Sequence, residues 1–197
     1  MKELIFVVDP MCSWCWGFHP VMQTLHDKYT GRYTFSIVLG GLRGEGTMSW
    51  DDKSKLFLKQ HWDAVHKATG QPFNPTILNR SYFDYNTHPS CKAVITVREL
   101  WGEKEAFKYL GDIQKAFYKE GKDITSREVL KNYLPMSKQE AFLDFYNSKR
   151  AILLLGHDFS KARSMGANTF PSIVTIDTEG HMLCISGYKT LEEILTF

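Results

Sequence analysis

Cysteine is scarce in this chain: four in 197 residues. That is too few to staple a small secreted scaffold, so a packed core has to supply the stability. Long apolar runs are absent as well. A stretch such as Ala151–Leu155 falls far short of the roughly 20 residues that a membrane helix needs. No run of lysines and arginines marks a nucleic-acid or membrane surface, and the formal net charge of +2 favours no charged partner. There is no internal repeat and no low-complexity segment. Only Met1-Lys2-Glu3 precedes the first apolar run, without the charged region, apolar stretch and small-residue cleavage site of a signal peptide. The expected localisation is cytoplasmic, or periplasmic if an export signal has been trimmed away. With 43% hydrophobic and 23% charged residues, the composition is that of an ordinary globular protein. The length allows one sizeable core, or a core with an inserted subdomain.

What is present centres on Pro10-Met11-Cys12-Ser13-Trp14-Cys15-Trp16-Gly17-Phe18. Leu4–Val8 reads as a buried strand, stopped by Asp9-Pro10. Phe18, Val21, Met22, Leu25 and Tyr29 then follow helical spacing, closed by Gly31. Residues three apart on a first helical turn share a face. Two cysteines placed so can reach the Cβ separation of about 3.5–4.5 Å that a disulfide needs. The first of them sits where helix N–H groups are unpaired and the dipole is positive, which favours an anionic sulfur. The expectation is Cys12 as attacking nucleophile and Cys15, one turn deeper, as resolving thiol. Two unlinked buried cysteines, or half of a metal site, are the alternatives.

Further along, Tyr33–Leu39 reads as a second buried strand, completing a βαβ unit with a parallel, right-handed crossover. Gly40-Gly41-Leu42-Arg43-Gly44-Glu45-Gly46 reads as a turn between subdomains. No Lys-Ser/Thr follows it and no helix opens directly, so it is not a phosphate cradle. From Trp50 to Pro135 strand patterns largely vanish. Amphipathic helices are expected over Asp51–Thr69, Cys91–Trp101 (capped at Thr87-His88-Pro89) and Lys104–Lys119. Thr125 with Glu128 reads as a capping box for a short helix to Tyr133. Ser137 with Glu140 reads as another, for a helix through Leu155 that Gly156 kinks or splits. The chain ends in a hairpin, Pro171–Ile176 and Met182–Ser186 around Asp177-Thr178-Glu179-Gly180, and a short helix at Leu191–Leu195.

Two parallel strands, a terminal antiparallel hairpin and a helical middle make an α/β, thioredoxin-like plan with an all-helical insert. The expected division is 1–45 and 160–197 for a discontinuous core, with 46–159 as the insert. Pro171 opens a buried strand after the Gly166-Ala167-Asn168 turn, a place where a cis peptide is plausible. Met11, Trp14, Trp16, Phe18 and Phe170 would then ring the sulfurs, with Phe18 the one expected in the core. Trp14, between the cysteines, is the candidate apolar contact for an extended polypeptide. Asp9 is a candidate helix cap or proton relay. His19 is expected to be structural, and Cys91 buried and inert.

Asp9–Phe18, Leu39-Gly40-Gly41-Leu42-Arg43, Asn86-Thr87-His88-Pro89 with Ala93-Val94, and Phe170-Pro171-Ser172 carry a resemblance. The chain resembles the DsbA-like thioredoxin-fold thiol oxidoreductases, in particular the FrnE-like branch described as predicted protein-disulfide isomerases. The resemblance implies a thioredoxin core interrupted by helices, a Cys12–Cys15 disulfide cycle and a cis Pro171. It also implies that the backbone at Phe170 and Pro171 pairs with an extended substrate, beside the Trp14 contact read above. The chain departs from the pattern at Ser13, where many relatives have proline, and at Trp14, where DsbA has histidine. Such positions tune a dithiol's potential.

The expected function is thiol–disulfide oxidoreductase or isomerase, with protein or peptide thiols and disulfides as partners, and glutathione among them. No cofactor, metal, nucleic acid or membrane is expected. The alternative is a glutathione-linked transferase or isomerase of the kappa or hydroxychromene carboxylate isomerase type, which carries serine where Cys12 stands. A further alternative is a metal-binding or redox-sensing adaptor, in which the fold would have to gather Cys12, Cys15, Cys91 and Cys184.

Overall fold

The computed structural model describes residues 2–196; positions 1 and 197, the outer ends of the expected core segments, lie outside them. The chain opens with β1 (Lys2–Val8), α1 (Ser13–Tyr29) and β2 (Tyr33–Leu39). β1 and β2 are parallel, running from Lys2 opposite Tyr33 to Val8 opposite Leu39, as the βαβ reading requires. The helices α2 (Asp52–Thr69), α3 (His88–Trp101), α4 (Glu103–Tyr118), α5 (Arg127–Lys131), α6 (Met136–Tyr146) and α7 (Lys149–Ser164) follow, with a 3-10 turn at Pro75–Asn79. The hairpin β3 (Ser172–Ile176) and β4 (Met182–Ser186) and the helix α8 (Leu191–Ile194) close the chain. β3 runs antiparallel to β1, and the sheet order is β2-β1-β3-β4.

Because β1 is central, both its faces are covered, and alternate side chains enter different clusters. Leu4, Phe6 and Val8 join the large core that α1 and the helical insert build. Ile5 and Val7 meet Ala162 and Met165 from the α7 side. This is why Leu4–Val8 reads as continuously apolar.

Two of the places where the insert is fastened to the core lie far from each other in sequence. One is the free edge of β2, sealed by charged side chains. Arg98 donates to the Ile37 carbonyl (2.7 Å), Glu103 accepts from Ile37 N–H (3.1 Å) and Asp158 accepts from Leu39 N–H (3.0 Å). Arg98 and Asp158 also form a two-pronged pair at 2.9 Å and 2.9 Å. Ladder groups that would otherwise be open to another strand are thereby occupied. The other place is α1, whose interior contains Pro20. Proline has no N–H, so the carbonyl of Trp16, four residues back, loses its helical donor. Gln71 supplies one from the insert, its Nε2 donating to Trp16 O at 3.2 Å. In return Trp16 Nε1 donates to Pro72 O at 3.1 Å.

Some local expectations fail for physical reasons. The helix expected to reach Leu155 breaks earlier, at Asn147-Ser148, where the Ser148 hydroxyl caps α7 by accepting from Ala151 N–H at 3.2 Å. Gly156 does not split α7: interior glycine is tolerated at modest cost, whereas a cap oxygen satisfies an orphan donor. α7 is therefore continuous across position 159/160. The Thr125–Glu128 box does not form. Asp123 takes both the hydroxyl (2.6 Å) and the N–H (3.0 Å) of Thr125, leaving Ser126 as the N-cap. Ser137 does not cap α6 either; Pro135 holds that position. A complete capping box occurs instead at Thr190 and Glu193, opening α8. Among the described residues no helix is long and apolar enough to cross a membrane.

Candidate active site

Cys12 is the N-cap of α1, with extended backbone at φ −87° and ψ 117°. A tight turn delivers it there: Cys12 N–H donates to Asp9 O at 3.1 Å, and Trp16 N–H to Cys12 O at 3.0 Å. Cys12 keeps 6% of its surface exposed and Cys15, in the first turn, 0%. Both are free thiols. Burial, followed by the hydrogen bond and charge of neighbouring Cys12, pushes the Cys15 thiol well above its ordinary range.

The chain's far end completes the site. Cys12 Sγ lies 3.5 Å from Phe170 O and donates to it, across 158 residues of sequence. The Phe170–Pro171 peptide is cis. Cys12, Cys15, Phe170 and Pro171 thus come together. The glycine run after β2 does more than turn. A Cβ on Gly40 would lie 2.1 Å from the Phe170 ring, and one on Gly41 (φ +69°) 2.6 Å from Phe159. Only glycine lets both aromatic rings lie against this backbone.

Asp9, fully buried, is a junction. Its Oδ1 accepts from Met11 N–H (2.8 Å), and its Oδ2 from Leu42 N–H (2.7 Å), Thr87 Oγ1 (2.6 Å) and Cys91 Sγ (3.3 Å). Burial raises its carboxyl above the usual range, and these donors, Thr87 foremost, partly offset that. Thr87 stands at the N-cap of α3, but its hydroxyl serves Asp9 rather than the helix. Burial and the Asp9 charge push the Cys91 thiol well up, so it is a hydrogen-bond donor here. Tyr85 adds a brace, its hydroxyl donating to Met11 O at 2.8 Å.

Trp14 lies half-buried at the rim, its ring 5.4 Å from that of Tyr188, a neighbour the sequence did not single out. Trp16, Met11 and Phe18 share one buried cluster with Cys12 and Cys15, Phe18 in the core as expected. All three are buried, and Trp16 stacks on Tyr118 at 6.2 Å. His19 packs on Phe107 at 5.6 Å, with its Nδ1 buried and unpartnered. Cys184 is half-buried on β4, opposite Val174. Among the described residues no three histidine, cysteine, aspartate or glutamate side chains gather where a metal could be held.

The family profile described as thioredoxin matches residues 5–196. The chain belongs to the thioredoxin family. Its fold is DsbA-like, a thioredoxin core with helices inserted between β2 and β3. A Nitrosomonas europaea structure, provisionally described as a protein disulfide isomerase, aligns at a TM-score of 0.87 and 27% identity, over 99% of this chain and 94% of that one. The cytosolic disulfide reductase DsbM from Pseudomonas aeruginosa aligns at a TM-score of 0.76 and 23% identity, over 93% of this chain and 88% of that one. DsbM has also been solved with GSH. At that identity the likeness is one of fold. Among curated proteins, the ClpXP adapter protein SpxH of Bacillus subtilis is 24% identical over 200 residues, 98% of this chain and 66% of the relative. SpxH of Shouchella clausii is 23% identical over 206 residues, 99% of this chain and 67% of the relative. The chain thus spans about two thirds of the length of these relatives.

Proposed function

We propose that this protein is a thiol–disulfide oxidoreductase that acts on protein or peptide disulfides through Cys12 and Cys15. One observation carries the reading: Cys12 Sγ sits 3.5 Å from the carbonyl before cis Pro171, with Cys15 buried one turn below. Cys12, as thiolate, attacks one sulfur of the substrate disulfide. That bond breaks, the second sulfur leaves as a thiolate and takes a proton, and a mixed disulfide remains. Cys15 then gives up its proton and attacks Cys12 Sγ, releasing the other substrate thiol and closing the Cys12–Cys15 bond. Two electrons pass from protein to substrate. The upward push on Cys15 supports this order, because a protonated Cys15 leaves the first attack to Cys12.

An extended substrate passing Phe170 and Pro171 adds to the backbone as a strand does, with Trp14 as apolar contact. Reduction of substrates in the cytoplasm, with glutathione as a small thiol partner, is the direction we assign. The names of the DsbM structures support it. Insulin-disulfide reduction tests the reading. Cys12→Ser abolishes activity and Cys15→Ser accumulates mixed disulfides; undiminished reduction by the Cys12 variant refutes it. A second reading has support in the SpxH relatives, named adapters and aligned along almost the whole chain. There a docked protein partner replaces turnover. Binding of a partner by a Cys12→Ser, Cys15→Ser protein, with no catalytic reduction by the parent, favours it.

A further inference from the structure

We propose that β4 is a self-association edge: two copies of this chain pair their β4 strands antiparallel about Cys184, joining two four-stranded sheets into one. β4 is the outer strand of the sheet and is bonded to β3 alone. In an antiparallel pair, residues that exchange hydrogen bonds with the neighbouring strand alternate with residues whose groups turn away from it. Two bonds fix the phase on β4: Asp177 N–H to His181 O (3.0 Å) and Gly187 N–H to Pro171 O (2.8 Å). In the register that sets Val174 opposite Cys184, the backbones of His181, Leu183, Ile185 and Gly187 therefore face β3. Met182, Cys184 and Ser186 direct their N–H and C=O groups outward. Among the described residues no other backbone group meets them.

The two edges of the sheet differ. On β2, Arg98, Glu103 and Asp158 occupy the ladder groups. β4 carries none of the usual guards: no charged side chain, no proline and no bulge. Met182 and Leu183 stand 49% and 50% exposed on it instead. Three features select a second copy as the occupant. The outward groups are spaced evenly around Cys184, so a two-fold axis through that residue satisfies every one of them. Cys184 meets the partner's Cys184, and Met182 meets the partner's Ser186. The same register lays Leu183 against the partner's Ile185, on the face of the sheet where Ile173 and Ile185 join the core. Charge agrees as well. Asp177 and Glu179 stand in the turn before β4, and Lys189 comes just after it. Antiparallel pairing therefore carries each copy's lysine toward the partner's acidic turn. Since Ser186 leads on to Tyr188, that turn also approaches the Trp14–Tyr188 rim.

The test is sedimentation velocity of the reduced protein over about 1–500 µM, the range in which a small strand-edge interface dissociates. The parent should pass from monomer to dimer. Cys184→Pro deletes the N–H at the two-fold axis in both copies and leaves the bonds to β3 in place, because that N–H points away from β3. It should raise the dimer Kd by about tenfold or more. Amide hydrogen exchange of the parent, read residue by residue at low and high concentration, locates the interface. Met182, Cys184 and Ser186 should gain protection on dimerisation, whereas Leu183 and Ile185, already bonded to β3, should not. A parent that stays monomeric throughout overturns the proposal. So does a dimer that Cys184→Pro leaves unchanged, or one that protects other segments instead. Should Cys184→Pro fail to fold, Met182→Pro removes an equivalent N–H at the exposed first residue of the strand. It too should weaken the dimer, and an unchanged Kd would overturn the pairing.

Discussion

The contact between Gln71 and Trp16 allows a test of how the insert supports the reactive helix. Pro20 leaves the Trp16 carbonyl without its helical donor, and the Gln71 amide fills the vacancy at 3.2 Å. Gln71→Ala strands that carbonyl at a partly buried point of α1, one residue past Cys15. A lost partner at such a place costs about 1–2 kcal/mol. For a chain of this length that is roughly 2–4 °C in Tm per kcal/mol. The deciding experiment is a double-mutant cycle in urea. Pro20→Ala restores a backbone N–H to Trp16 O, so the same Gln71→Ala change should then cost less than about 0.5 kcal/mol. The cycle should therefore show a coupling of about 1 kcal/mol. An equal cost in both backgrounds would refute the idea that Gln71 substitutes for the missing N–H.

Two more outcomes follow from neighbouring features. Burial holds His19 below its ordinary value of 6.5, so the unfolded chain takes up a proton that the native one resists. The unfolded state then binds more protons, and stability, complete above that value, falls as pH drops through it. His19→Gln should flatten the parent's Tm profile between about pH 7 and pH 5, and an unchanged slope would show that another group sets it. At Gly40, alanine would meet the Phe170 ring at 2.1 Å. Gly40→Ala should cost about 1–3 kcal/mol in urea unfolding and slow Cys12 alkylation. Adding Phe170→Ala should relieve most of the stability cost, and simple additivity would contradict the clash.

Much of this architecture is local, and local features are legible in sequence. Leu4–Val8, the cysteines at a strand-to-helix junction and Tyr33–Leu39 each declare themselves through run length, spacing and stop residues. Pro171 also does so, by opening a buried strand. Competition between near neighbours is harder to read. Thr125 looks like a cap until Asp123, two residues earlier, takes its hydroxyl. Gly156 looks like a break because glycine often marks one, whereas Ser148 supplied the stronger local interaction. Long-range polar pairing leaves no pattern at all. Arg98 and Asp158 are 60 residues apart, and only the fold makes them a seal on β2. Asp9 could be weighed as a cap or relay from its place before Cys12, but its bonds to Leu42, Thr87 and Cys91 depend on three separate segments meeting.

That junction has a consequence for biosynthesis. Residues 9–15 leave the ribosome ahead of most of the donors that fix Asp9, which arrive in order at positions 11, 42, 87 and 91. The carbonyl that faces Cys12 belongs to residue 170, 158 residues later in synthesis. A half-made chain therefore carries both cysteines without the cleft that would present them to a substrate. The pairing of Cys12 with its facing carbonyl arrives only when the chain through residue 170 is available to fold.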